Sequence, residues 1–429
     1  MHVFFSGIGG AGIGPLALIA KQAGYDVSGS DKQESDYILY LKKHGIDGIT
    51  IGQTETDIAH VNAQKPIDWL VYSSAVAIEN PDSPEFQFCK KHGIKTSKRD
   101  EFLNQILADK KLRLITVAGT HGKTTTTAML IWLFKQLGRP ISYSVGAKLS
   151  FGDMGEYDKG SEFFVYEADE YDRNFLAFHP YMSLITGIDW DHPDIYPTRE
   201  EYESAFDQFV EQTRWTIFWQ PDFDKLGLRP AEKYLVLDED EPQMESIILP
   251  GHVNRKDAWQ VIQAVHAITE APIDQLIDFM NVFPGISRRF ELIVPNLYTD
   301  YAHTPEKIKG ALQLAKEVAG DKFVVVYEGL HNTRQHFIKE DLAHIFDEVK
   351  HTYVVPSYLA REDQNLPTLS PQDIVNLFSK PENATAAQVD DNLKETINRH
   401  IHAGDLVLCL SAGGGGSLDE WLRKNFHAV

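Results

Sequence analysis

Two cysteines, Cys89 and Cys409, stand in 429 residues, too few and too far apart for a disulfide scaffold or a paired-cysteine metal site. A reducing compartment is therefore expected. Basic residues are also scarce, 41 Lys and Arg against 62 Asp and Glu, for a net charge of −21. That balance argues against nucleic acid, which needs a basic face, but leaves room for a nucleotide cofactor, whose site needs only local positive groups. No apolar run reaches about 18 residues, so no membrane insertion is expected. The chain opens directly on an apolar strand, Met1 to Phe5, with neither a basic leader region nor a cleavage site, and the expected location is cytoplasmic. Repeats and low-complexity tracts are missing too, and the acidic run Asp238 to Glu241 reads as a solvated loop. What remains is 43% apolar with a mean hydropathy of −0.29, ordinary for a globular chain whose length suggests two to four domains.

The most informative stretch is Gly119-Thr120-His121-Gly122-Lys123-Thr124-Thr125. Leu112 to Val117 before it is apolar like a buried strand, and Thr124 to Leu137 after it has helical spacing and stops at Gly138-Arg139-Pro140. A glycine turn between a strand and a helix aims backbone N–H groups at an anion; Lys123 adds a charge for β/γ-phosphate oxygens, and the Thr124 hydroxyl suits Mg²⁺. The general phosphate-loop pattern wants glycine where Val117 stands, so the shorter G-T-x-G-K-T-T form applies.

A second glycine loop follows the first strand: Gly7, Gly9, Gly10 and Gly12 precede a helical run from Ile13 to Ala23, and a second strand closes on Asp31. This is a Rossmann fingerprint, with the acidic residue about 20 positions on to meet ribose hydroxyls. Alone it suggests NAD, yet the same geometry accepts any diphosphate, including that of a UDP-sugar. Ser73 and Ser74, at the end of the strand from Asp68, either reach a ligand in the crevice or cap the turn that follows. Phe163 to Tyr166 forms another buried strand, ending in Glu167-Ala168-Asp169-Glu170, where carboxylates suit a hard cation. The strand Met182 to Ile188 ends in Asp189-Trp190-Asp191-His192.

The G-T-H-G-K-T-T loop, the G-I-G-G-A-G and V-S-G-S-D wording, the E-A-D-E and D-H-P-D blocks and Arg288-Arg289-Phe290-Glu291 together resemble the Mur ligases, ATP-dependent enzymes that build the peptidoglycan precursor peptide. The resemblance implies an α/β fold of three domains: a Rossmann-like UDP-binding domain (1–108), a P-loop ATPase-like central domain with a mostly parallel sheet (109–294), and a Rossmann-like C-terminal domain that binds the amino acid (295–429). It implies ATP on Gly119 to Thr125 with Asn254, Asp257, Arg289 and Asp300, and Mg²⁺ on Thr124, Glu167 and His192. Lys123, Glu167, His192 and Arg289 are the implied catalytic group. The UDP-sugar falls to Gly7, Gly9, Gly10, Gly12, Asp31, Ser73 and Ser74, and the amino acid to His303 and Arg334. In the implied reaction, ATP phosphorylates the carboxylate of UDP-N-acetylmuramate and an amine attacks the acyl phosphate.

Departures from the pattern narrow the reading. Phe206 occupies the place of a modified lysine found in several of these ligases, an absence shared by the branch that adds the first amino acid, L-alanine, to UDP-N-acetylmuramate. Val253 replaces a usual His and Asp257 an adenine-contacting Asn. Leu330 stands where the L-alanine branch has His, while Glu328 and Asn332-Thr333 resemble the recycling ligase that attaches a whole tripeptide. The amine donor, an amino acid or a short peptide, thus stays open, as do an NAD-dependent oxidoreductase and a sensor that binds UDP-sugar and ATP without ligating. A monomer and a homodimer fit equally.

Overall fold

The computed structural model describes residues 1–73, 76–77, 80–192, 195–359, 362–363 and 365–426. Its described residues form three sheets flanked by helices. The first has β1 (His2–Ser6), β2 (Asp26–Asp31), β3 (Gly48–Ile51), β4 (Trp69–Tyr72) and β5 (Lys95–Lys98), all parallel in the order β3-β2-β1-β4-β5. Every residue of β1 is buried, as a strand covered on both faces requires. The chain reverses direction across the sheet between β1 and β4, which opens a crevice at their carboxyl ends, where the glycine loop begins.

The second sheet comprises β6 (Arg113–Ala118), β7 (Ser142–Ser144), β8 (Gly155–Glu156), β9 (Phe163–Glu167), β10 (Met182–Ile185), β11 (Trp215–Trp219) and β12 (Tyr234–Leu237), in the order β12-β11-β10-β6-β9-β7-β8. Only the short β7·β8 pair is antiparallel. Central β6 lies between β9 and β10, with Val117 in register with both Glu167 and Leu184. That register sets the phosphate loop beside the acidic block. The expected helix runs Lys123–Gln136, and Gly138, at φ +64°, ends it.

These two sheets belong to one compact unit, Met1–Ile247 with Asp257–Phe283. Phe102, on the helix Arg99–Lys110, packs edge-on against Phe5, Trp69 and Tyr25 at 5.3–5.6 Å between ring centres, and the same apolar core continues to Phe164, Phe175 and Phe206. Phe206 is thus a core side chain in ring contact with Phe175.

The other unit is Ile248–Lys256 with Pro284–Val429. Its sheet contains β13 (Glu291–Val294), β14 (Leu297–Asp300), β15 (Phe323–Leu330), β16 (Thr352–Tyr358), β17 (Ala384–Ala386) and β18 (Leu406–Leu410), in the order β13-β14-β18-β15-β16-β17. Only the β13·β14 hairpin is antiparallel. All eight residues of β15 are buried, so this strand runs on past Tyr327 to Leu330. The architecture is the expected three-domain α/β one with mostly parallel sheets. No helix among the described residues is long and apolar enough to cross a membrane.

Candidate active site

The phosphate loop owes its shape to two glycines with positive φ, Gly119 at +144° and Gly122 at +74°. A Cβ on Gly119 would collide with Oγ1 of Thr186, and one on Gly122 would meet both carboxylate oxygens of Asp257 at 3.0 Å. Side chains from β10 and its following turn lock the loop from behind. Thr120 directs its hydroxyl inward, 2.6 Å from the carbonyl of Asp189 and 2.7 Å from Oη of Tyr202, and it accepts from the Asp189 N–H at 2.8 Å. The His121 ring lies over Gly187 and bonds through Nε2 to Asp189 Oδ2 at 3.0 Å. His121 first, and Lys225 with it, hold the Asp189 carboxyl well below the usual carboxylate range. Thr125 is buried in the first turn of the helix.

Lys123 donates to the Gly119 carbonyl at 2.6 Å and to Glu170 Oε2 at 2.7 Å. Burial alone would lower its pKa, but Glu170, with Asp169 and Glu167, outweighs burial and raises it, so the ammonium stays charged. Thr124 donates to Glu167 Oε1 at 2.7 Å, and the N–H of Gly146 fixes Oε2 of the same carboxylate at 2.7 Å. His192, at φ +55°, places Nε2 3.7 Å from Glu170 Oε1 and 3.8 Å from Asp191 Oδ2. Lys123, Thr124, Glu167 and His192 are therefore brought to one place, with Glu170 between the lysine and the histidine. Glu170 was not among the expected residues; its side chain is 1% exposed, and its carbonyl accepts from Tyr196 Oη at 2.6 Å.

Among the described residues no three His, Cys, Asp or Glu side chains form a metal cluster. The Thr124 hydroxyl and the Glu167 carboxylate offer two adjoining hard oxygens, a set that fits Mg²⁺, which keeps several waters and takes its remaining ligands from phosphate.

In the glycine loop after β1, Gly7, at φ +78°, donates to the Ser30 carbonyl at 2.9 Å, Gly10 donates to Gly7 O at 3.0 Å, and Gly9 donates to Asp31 Oδ2 at 2.8 Å. Asp31 thus props the loop from β2. Below it Glu85, fully buried, accepts from the hydroxyls of Ser6 and Ser30 at 2.5 Å each, a support that nothing in the local wording announces. Nη1 of Arg99 lies against Gly12, so a side chain there would have to displace the guanidinium. Ser73 accepts from the Val76 N–H at 3.3 Å, the turn-capping role, and its hydroxyl also faces Gly7. Ser74 lies outside the described residues, as do Pro193, Asp194, Ala360 and Arg361.

In the second unit Asn254 donates to the carbonyl of Pro250 at 2.8 Å. Arg289 stacks 4.8 Å from the Tyr301 ring and donates to the Arg288 carbonyl, while Asp300 Oδ2 accepts from Phe290 N at 2.7 Å. Burial raises the Asp300 carboxyl above its ordinary range against the pull of Arg289. His303, nearly buried, bonds through Nδ1 to the Tyr301 carbonyl at 2.9 Å. Arg288, assigned no role from sequence, donates to the carbonyls of Ser411 and Gly413 and so ties the segment before β13 to the residues that follow β18. Arg334 lies in the first turn of the helix Asn332–Ile345, whose preceding residue, His331, has φ +57° and sits 3.6 Å from Glu362. Glu362 also accepts from Thr333 N at 2.9 Å and Thr333 Oγ1 at 3.2 Å.

Three sequence profiles match in order: one described as "Mur ligase family, catalytic domain" over residues 2–111, "Mur ligase middle domain" over 117–222, and "Mur ligase, glutamate ligase domain" over 288–413. The chain is similar to a UDP-N-acetylmuramate–L-alanine ligase of Nocardioides sp., 31% identical across 96% of this chain and 93% of that one. It is also similar to one of Lactobacillus helveticus, 31% identical across 87% and 89%. Among solved structures, the UDP-N-acetylmuramate–alanine ligase of Thermotoga maritima superposes with a TM-score of 0.75 at 24% identity, covering 99% of this chain and 98% of that one. A murein peptide ligase of Psychrobacter arcticus superposes at 0.64 and 22% identity over the full length of both chains.

Proposed function

We infer, because this chain belongs to the Mur ligase family, that its phosphate loop and acidic block serve an ATP-dependent ligase of peptidoglycan synthesis whose substrates are UDP-N-acetylmuramate and L-alanine. The observation that carries the reading is the joined cluster of Lys123, Glu170, Thr124 and Glu167 at the carboxyl ends of β6 and β9. Bound ATP would supply the phosphoryl group that activates the muramate carboxylate for attack by the amine. The chain's own groups then have separate tasks. Lys123 and Arg289 would neutralise charge on the transferring group, and Thr124, Glu167 and His192 would hold Mg²⁺, with His192 beside Glu170 of the acidic block. No protein nucleophile is required. Arg334 pairs with the carboxylate of the amine donor, for which a guanidinium has the matching fork. The proposed domain borders lie near residues 108 and 294.

A second reading keeps the ligase chemistry and changes the amine. Glu328, Asn332 and Thr333 resemble the tripeptide-recycling branch, and Leu330, at the buried end of β15, has no ring nitrogen for an amino acid. Phosphate release from ATP and Mg²⁺ with UDP-N-acetylmuramate, compared for L-alanine, glycine, L-serine and the muramyl tripeptide, decides between them. Release that depends on L-alanine supports the first reading. Dependence on the tripeptide alone replaces it with recycling, and release with none returns the chain to a non-ligating sensor.

A further inference from the structure

The acidic block and the first glycine loop are joined by a cation that neither motif contains. Arg99 follows β5 and opens the helix Arg99–Lys110. Its Nη1 packs on Gly12, the last glycine of G-x-G-x-x-G, so closely that any side chain there would displace it. The rest of the guanidinium is aimed by two carboxylates, Nε at 3.5 Å from Asp100 Oδ1 and Nη2 at 3.5 Å from Asp169 Oδ2. Both separations exceed the 2.7–2.9 Å of a fully formed charge-assisted bond. The side chain is 22% exposed, and the N–H groups of Gly7, Ile8, Gly9 and Gly10 are already taken by Ser30, Asp31 and Gly7, so the guanidinium on Gly12 adds donors that this loop's own backbone does not offer. Neighbouring Lys98 pairs with Asp172, whereas Arg99 lies against Gly12.

A guanidinium laid on the final glycine of this fingerprint stands where a diphosphate meets the loop and the start of the helix behind it. Its fork matches two phosphate oxygens, and a carboxylate pair at 3.5 Å holds it in place without saturating it. We propose that Arg99 binds the diphosphate of the nucleoside-diphosphate sugar and, in doing so, turns from Asp169 of the acidic block to the ligand. The inference rests on the UDP-sugar reading given above.

The test is calorimetric titration of the full-length protein with UDP and with uridine, for wild type, Arg99→Gln and Arg99→Lys, with ATP affinity measured alongside. Arg99→Gln is expected to weaken UDP on the order of tenfold to a hundredfold while uridine and ATP bind as before. Arg99→Lys, which keeps the charge but loses the fork, should recover part of the loss. Equal weakening of UDP and uridine, or UDP affinity unchanged in a folded Arg99→Gln protein, overturns the role of Arg99 and leaves the UDP-sugar reading standing. A wild-type protein that binds neither UDP nor UDP-N-acetylmuramate overturns both.

Discussion

Nζ of Lys123 lies 2.7 Å from Oε2 of Glu170, and the other oxygen of that carboxylate lies 3.7 Å from Nε2 of His192. Glu170 is almost wholly buried and is the first of the carboxylates, with Asp169 and Glu167, that keep the Lys123 ammonium charged against burial. Lys123→Ala should abolish phosphate release, a fall of at least about 10²-fold, and leave UDP-sugar affinity unchanged, since that ligand is assigned to the first sheet. Loss of both together would sink the domain assignment. Glu170→Gln should cost about 3 kcal/mol of stability, because it removes the nearest counter-charge of a buried ammonium. A melting point equal to wild type would show that the pair is open to water.

Asp100 gives a prediction with a defined pH window. Burial pushes its carboxyl up to about 6, despite Arg99 and Lys98 beside it. A carboxyl whose folded pKa is raised binds its proton more tightly in the native state, so stability falls as pH rises from about 4 to about 6 and is level beyond. Asp100→Asn removes that cost. The variant should match wild type at pH 4 and exceed it by about 2 to 3 kcal/mol at pH 7, read as an upward shift in melting temperature. An equal offset at both pH values would mean that packing, not ionisation, sets the difference.

The parts legible in the sequence were those written in consecutive residues. Gly119 to Thr125 announces strand, turn and helix, because two glycines must take positive φ where the backbone meets Thr186 and Asp257. That the sheets are mostly parallel follows from alternating apolar runs and helices, which permit little else. Glu167 and Glu170 stand in one acidic run, and nothing in the run itself tells them apart. The register of β9 with β6 sends Glu167 to Thr124, and only the turn after the strand folds Glu170 inward to Lys123. Arg99 is 70 residues from Asp169 and 87 from Gly12, so no local pattern could join them. The locking of His121 by Asp189 was hidden for the same reason.

Asp257 bears on the choice of nucleotide base. It stands where the family places Asn, and its carboxylate oxygens face Gly122. A carboxylate accepts from the amino group of adenine but offers no donor to a ring nitrogen, which an amide does. The lost bond is worth about 0.5–1.5 kcal/mol, up to roughly tenfold in affinity. Wild type should therefore prefer ATP to GTP less strongly than Asp257→Asn does, by up to roughly that factor. Steady-state kcat/KM for the two nucleotides is the measurement, and a strong wild-type preference for ATP would count against the idea.

Thr124 and Glu167 are placed to act on one ion, which makes their effects interdependent. The hydroxyl and the carboxylate already touch at 2.7 Å, and Gly146 N–H holds the second carboxylate oxygen, so the two oxygens are arranged before any cation arrives. Removing either leaves a site with one protein oxygen. Thr124→Val and Glu167→Gln should each raise the Mg²⁺ concentration needed for half-maximal phosphate release, the latter more, because it also removes a negative charge. The double variant should be little worse than Glu167→Gln alone, since residues that share one partner do not add. Strictly additive shifts in the Mg²⁺ titration would show that the two side chains act at separate places, and Thr124 would then be left with the role of helix start alone.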